Sequence, residues 1–292
     1  MDYSFPRYLL SKQTVDDRAL NKDVVNALRV NLPSEPVSVI EIGAGIGTML
    51  KRLIEWNVLC AAEYVMVDEM AGNIAYARAW VPQWAKEAGL SVERMECDQL
   101  RICDQNRDIR IRFECADVFD FIEKNKKPAD LLIAHAFLDL LPMPVSLEKI
   151  LSLTNGLAWL TINFDGMSSF QPVMDRVLDE KIEWLYHESM NTRSTGGDSR
   201  TGRKLFEHLR SVKARILAAG ASDWVVYADD GKYPADENYF LHFVLHFFES
   251  SLKERSELEK AELAGWLATR HEQIECGELV YIAHQMDFLV KP

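Results

Sequence analysis

VSVIEIGAGIG, residues 37–47, decides how the rest of the chain is read. Val37 to Ile42 is a short continuous apolar run of strand type, and the glycine-rich turn after it leads into a helical pattern from Ile46 to Trp56. Glycines at Gly43, Gly45 and Gly47 let a backbone turn tightly and approach a ligand closely, with helix-end N–H groups facing it. A dinucleotide fingerprint reads GxGxxG; this loop reads GxGxG, with Thr48 where that pattern puts its third glycine.

The same rhythm continues outward. EYVMVD is a second strand ending at Asp68, with a helix from about Met70 to Ala88. IRIRFECAD is a third, followed by a short helix near Phe119; DLLIAHA is a fourth, with a helix over Val145 to Leu153; GLAWLTINF is a fifth. Apolar strands alternating with helices predict a parallel sheet covered on both faces. Residues 89–108 read as an excursion between the second helix and the third strand.

Ahead of this core, Lys12 to Val30 carries the pattern of a surface helix, closed by Pro33 and Pro36. Beyond Asp165 a helix is expected over Gln171 to Tyr186. A second is expected from Lys204 to Ala218, stopped by Gly220. SDWVVYAD and ELVYIAHQMDFLV read as strands. Between them lie an aromatic helix, YFLHFVLHFF, and a charged helical run from Lys253 to Arg270. Tyr239 to Phe248 is aromatic around most of its circumference, which predicts burial on several sides and a position as a lid.

Composition narrows the function. The chain has 292 residues, 48% of them hydrophobic, with 33 basic against 45 acidic side chains and a net charge of −12. That balance argues against affinity built on nucleic-acid phosphates or anionic lipid. Five cysteines without a CxxC pair argue against a disulfide scaffold or zinc knuckle. Reduced thiols, the absence of a signal-like start and of an 18-residue apolar run make a cytoplasmic protein the expectation.

The strand ends carry the chemistry. Asp68 is placed to accept hydrogen bonds from a ribose. Asp117, Val118 and Phe119 offer a carboxylate, a backbone N–H and an apolar ring, suited to an adenine amine, ring nitrogen and face. The fourth strand runs out at Ala134-His135-Ala136-Phe137, on the usual ligand edge of such a sheet.

In order and spacing, VIEIGAGIG, YVMVD, RFECADVF and DLLIAHAFLDLLP resemble the class I S-adenosylmethionine-dependent methyltransferases. The likeness covers residues 37–163 and the two closing strands. It implies an α/β, Rossmann-like doubly wound seven-stranded sheet with a closing antiparallel strand and helical cap insertions. One domain spanning residues 1–292 is expected: a helical segment 1–36, the cofactor core 37–163, and cap insertions 165–200 and 229–276. The implied cofactor is S-adenosyl-L-methionine. Its contacts would be Glu41, Gly43, Ala44, Gly45, Gly47, Asp68, Glu69, Met70, Asp117, Val118, Phe119 and His135. Glu41 is expected to organise the loop and approach the amino-acid end.

Methyl transfer from a sulfonium is an in-line displacement, so alignment and desolvation supply most of the catalysis, with positioning worth on the order of 7–11 kcal/mol. His135 is the leading pocket residue for catalysis, or else a shaper of the pocket; Asp139 orients a histidine, binds an amine, or caps the next helix. Position 135 is where amide-nitrogen methyltransferases carry the Asn of their (N/D)PP(Y/F) motif; the different residues here disfavour an adenine or glutamine acceptor. Arg200 and Arg203, opening a helix, grip an anion or are solvated around a cap. Tyr233, Tyr239 and His242 are candidates for the substrate region. Arg18 is a candidate partner for the cofactor carboxylate. His242 and His246 share a helix face without the glutamate of HExxH, and no metal is expected. A small-molecule acceptor is the first reading. A protein or RNA substrate, a nicotinamide-dependent oxidoreductase and a non-catalytic partner subunit are the alternatives.

Overall fold

The computed structural model describes residues 3–96, 99–193 and 196–292. At its centre, strand β1 (Val37–Ile42) pairs in parallel with β2 (Ala61–Asp68) on one side and with β6 (Ala129–His135) on the other. Beyond β2 comes parallel β5 (Asp108–Cys115); beyond β6 comes parallel β7 (Thr154–Ile162). The chain therefore runs outward one way from β1, returns, and runs the other way, so β1 and β6 flank a topological switch point. Val39, Ile40 and Ile42 are at most 4% exposed, which explains the unbroken apolar run: a central parallel strand is buried on both faces.

Strand β10 (Val280–Lys291) runs antiparallel to β7 and carries β9 (Arg215–Val226) along its opposite edge. The expected seven strands are thus β5, β2, β1, β6, β7, β10 and β9. Among the described residues, three more bring the sheet to ten. The excursion contains the hairpin β3 (Ser91–Arg94) and β4 (Leu100–Cys103), added antiparallel beside β5. Strand β8 (Ser168–Gln171) pairs with the first part of β10, in line with β7.

Helices α4 (Thr48–Glu55), α5 (Ala71–Glu87), α6 (Val118–Lys124) and α7 (Val145–Leu151) follow β1, β2, β5 and β6. The single amino-terminal helix expected over Lys12 to Val30 is instead two, α2 (Gln13–Ala19) and α3 (Lys22–Asn31), preceded by α1 (Phe5–Ser11). Asn21 breaks the run by capping α3, its side chain accepting from the Asp23 and Val24 N–H groups. Helices α8 (Arg176–Asn191), α10 (Glu237–Leu252) and α11 (Lys260–Glu275) build a second hydrophobic core with α1, α2, β8 and β10, centred on Phe240, Phe248 and Trp266. No helix among the described residues is long and apolar enough to cross a membrane.

The helix expected from Lys204 to Ala218 is corrected in its second half. Helix α9 (Thr201–Ser211) stops early, and the ARILAAG segment extends as β9, with Gly220 opposite Asp287 in the ladder rather than at a helix end. Its alanine-rich composition favours a helix locally, but the long pairing with β10 overrides that preference. Gly220 is small for a steric reason: a Cβ there would lie 2.2 Å from Asn21 Nδ2 and 2.4 Å from Cγ. Gly220→Ala is therefore expected to push Asn21 off its cap and destabilise the protein by about 1–2 kcal/mol. A thermal melt followed by circular dichroism should fall by several degrees; an unchanged midpoint would mean that Asn21 yields freely.

Candidate functional site

At the carboxyl ends of β1, β2, β6 and β7 lies a cavity of about 200 Å³. The β1–α4 loop forms one wall. Gly43, Gly45 and Gly47 adopt φ of +63°, +56° and +90°, a left-handed path open to glycine at little cost. The loop folds over the end of β2, where Ala44 N–H donates to Val67 O and Gly45 N–H donates to Asp68 Oδ2 at 2.8 Å. Asp68, 8% exposed, also accepts from Met70 N–H at 2.9 Å and Asn73 Nδ2 at 3.1 Å. Burial raises its carboxyl above the ordinary range, against these hydrogen bonds, which lower it.

Glu41 lies behind the loop, 4% exposed, accepting from Tyr64 Oη at 2.7 Å. Desolvation pushes its pKa up to about 8, opposed by that hydrogen bond and by the Arg52 charge. Two cations line the cavity. Arg52, 3% exposed, is paired with Asp17; Lys12, 9% exposed, is 3.1 Å from Asp16. His135 lines the cavity from the end of β6, its ring edge-on to Trp159 at 4.4 Å. Its Nε2 is buried without a hydrogen-bond partner. Burial, then the Arg52 and Lys12 charges, hold it neutral, with its pKa well below the usual histidine value. The backbone turns sharply just after it, with Ala136 at φ +51°. Thr161, Asn163 and Gln285 form a polar floor. Beneath it the fully buried Asp287 accepts from Thr161 Oγ1 at 2.6 Å and Asn21 N–H at 2.7 Å. Phe5, Leu9, Phe137 and Leu140 supply apolar walls.

Of the sequence-predicted residues, Glu41, Gly43, Ala44, Gly45, Asp68, Glu69, Met70 and His135 come together at this cavity, and Gly47 caps α4 just behind it. Asp117, Val118 and Phe119 do not line it. Asp117 caps α6, its Oδ1 accepting from the Phe119 and Asp120 N–H groups, while Val118 is buried among apolar neighbours. Asp139 also lies off the cavity, with a buried, unpartnered Oδ1 and a pKa raised by desolvation; it makes no hydrogen bond to His135.

The proposed substrate residues are elsewhere. Arg203 is held by Asp165, Nε to Oδ2 at 2.9 Å, and Arg200 is an exposed residue at the start of α9. Tyr233 donates to Leu279 O, and Tyr239 accepts from Ser4 N–H under the Arg7 guanidinium. His242 meets His271, Nδ1 to Nδ1 at 2.7 Å, and Glu275; His246 stacks on Tyr3. Helix α10 does not cover the cavity as a lid. It backs α1 through Tyr8, whose ring stacks 4.5 Å from that of Phe243, and α1 and α2 form the roof. Arg18 is engaged by Glu237 in a two-pronged pair at 2.6 and 2.8 Å, so Lys12 and Arg52 are the basic groups at the cavity. Arg52, Asn73, Asn163 and Gln285 carry no motif, whereas Phe137 follows the strand end at His135 on the expected ligand edge. The placement of Asn163 just past the end of the apolar strand β7 is a signal that could have found it.

No family model matches the chain, and no curated protein matches its sequence. Solved structures do match it. A cyclopropane-fatty-acyl-phospholipid synthase-like protein from Lactobacillus casei is 9% identical, with 99% of this chain and 94% of that one covered and a TM-score of 0.52. A provisionally named methyltransferase from Bacillus halodurans is 10% identical, with 93% and 99% covered and a TM-score of 0.50. The chain shares their fold, the Rossmann-like methyltransferase architecture of mostly parallel strands with an antiparallel closing strand.

The raised pKa of Glu41 has a consequence for stability. Between its ordinary unfolded value, about 4.3, and its folded value of about 8, the folded protein holds a proton that the unfolded chain has lost. Stability therefore falls as pH rises through that window and levels off above it. Glu41→Gln removes this contribution. Melting midpoints from pH 5 to 8.5 should decline less steeply for the variant than for the parent; parallel curves would mean that Glu41 is ionised in the fold.

Proposed function

We propose that this chain transfers a methyl group from S-adenosyl-L-methionine to a small-molecule acceptor. The observation that carries the reading is the left-handed glycine loop tied by Gly45 N–H to Asp68, at the sheet's switch point and inside a cavity. When bound, the cofactor would supply an electrophilic methyl on a sulfonium, whose neutral thioether would be the leaving group for an acceptor aligned in line.

The residues present fit that group. Gly43, Ala44, Gly45 and Gly47 give a backbone that a ligand approaches closely. Asp68, beside Glu69 and Met70, keeps acceptor capacity for ribose hydroxyls beyond the bonds that fix it. Lys12 and Arg52 suit the methionine carboxylate, the role expected of Arg18, with the uncharged form of Glu41 nearby. Asp117 retains Oδ2 beside Val118 and Phe119, an edge suited to adenine outside the enclosed cavity. His135, neutral and anchored on Trp159, orients a ligand by hydrogen bonding rather than by carrying charge.

Phe5 and Leu140 exclude water and so strengthen the polar contacts inside. The roof of α1 and α2 over the cavity supports a small acceptor over a protein or RNA, and the −12 charge adds to the case against RNA. We read residues 1–292 as one domain, because the three hydrophobic clusters share strands of one sheet.

Calorimetry with S-adenosylmethionine, S-adenosylhomocysteine and NAD tests the reading. The first two are expected to bind and NAD to fail, and Asp68→Ala should weaken binding by tenfold or more with the circular dichroism spectrum retained. Binding of NAD alone would overturn it, and unchanged affinity in the variant would remove Asp68 from the site.

A further inference from the structure

The open face of the first loop glycine is already filled by the protein. A Cβ built on Gly43 would lie 2.6 Å from Phe137 Cδ2 and 3.1 Å from Cγ, so the aromatic ring rests directly on the glycine. Leu9 does the same at Gly45, with Cδ1 3.0 Å from the corresponding position. The remaining cavity, about 200 Å³, is smaller than the roughly 300–1,000 Å³ of sites that enclose drug-sized ligands.

Two kinds of movement could clear the loop. Swinging α1 and α2 away would break the Arg18 and Thr14 contacts to Glu237, the Arg7–Asp236 pair and the burial of Tyr8 against Phe240 and Phe243. Side-chain rotation is less disruptive. Phe137 and Leu9 are only partly buried, each at the margin of a hydrophobic cluster rather than within it. Phe137 also follows the left-handed Ala136 and caps a short 3-10 turn, Leu138–Leu140, outside any strand or α-helix.

We propose that Phe137 is an aromatic plug that competes with the cofactor for the face of Gly43, with Leu9 as a lesser plug at Gly45, and that ligand entry proceeds by rotation of these side chains beneath a fixed roof. The inference rests on the reading of the glycine loop as the cofactor cradle. A ring that only lined the bound ligand would add contacts, and its removal would weaken binding. A plug has the opposite sign, because its removal abolishes a competitor. Selection of an open conformer lowers the apparent affinity by the fraction that is open, and removing the ring lifts that restriction.

The test is the association rate and affinity of S-adenosylhomocysteine for the intact chain, measured by stopped-flow fluorescence and calorimetry. Phe137→Ala should raise the association rate at least threefold and tighten binding, Phe137→Leu should fall between it and the parent, and Leu9→Ala should give a smaller rise. Binding by Phe137→Ala when the parent does not bind also supports the plug. Slower, weaker or unchanged binding in the variants, with the parent binding normally, overturns the plug and leaves the cofactor reading intact. Should Phe137→Ala misfold, Phe137→Leu carries the same comparison. If neither parent nor folded variants bind, the cofactor reading fails and the plug with it.

Discussion

The hydrogen bond from Gly45 N–H to the buried carboxylate of Asp68 is the contact on which the site depends. It joins the loop after β1 to the end of β2, two elements brought side by side by the parallel pairing of Val37–Ile42 with Ala62–Val67. A carboxylate this buried is costly unless its lone pairs are occupied. Gly45, Met70 and Asn73 provide three donors, so the loop and the amino-terminal end of α5 are fixed by the same group. The cavity takes its shape from that fixation.

Around this point the protein distributes charge unevenly. Arg52 and Lys12 approach the cavity from α4 and from the start of α2, each with an aspartate partner, and their fields oppose protonation of His135. Glu41 is pushed toward its neutral form in spite of Arg52 because desolvation dominates. The second hydrophobic core serves the same site from a distance. By burying Tyr8 and pairing Glu237 with Arg18, α10 holds α1 and α2 as a roof, although its own aromatic side chains stay outside the cavity.

Much of the architecture was legible in the sequence because central parallel strands are buried on both faces and read as continuous apolar runs. The segments ending at Ile42, Asp68 and His135 are of that kind. What was hidden was decided by long-range pairing. ARILAAG reads as helix from its alanines, yet β10 draws it into a strand. Gln285 reaches the cavity floor because of its place along β10, and Arg52 because α4 turns it inward; neither spacing announces this. Arg18 reads as a candidate for a ligand carboxylate, but Glu237, more than 200 residues away in the chain, binds both of its terminal nitrogens, Nη1 and Nη2. His242 and Tyr239 stood out by type, but the aromatic helix that carries them packs into a core.

The central claim is that the glycine loop and Asp68 form the cofactor cradle. The most direct measurement is a crystal structure of the protein grown with S-adenosyl-L-homocysteine. The account predicts ligand density along Gly43–Gly47, with a ribose hydroxyl within hydrogen-bond distance of Asp68. Density for the ligand elsewhere on the molecule, with Asp68 bonded only to Gly45, Met70 and Asn73, would contradict it.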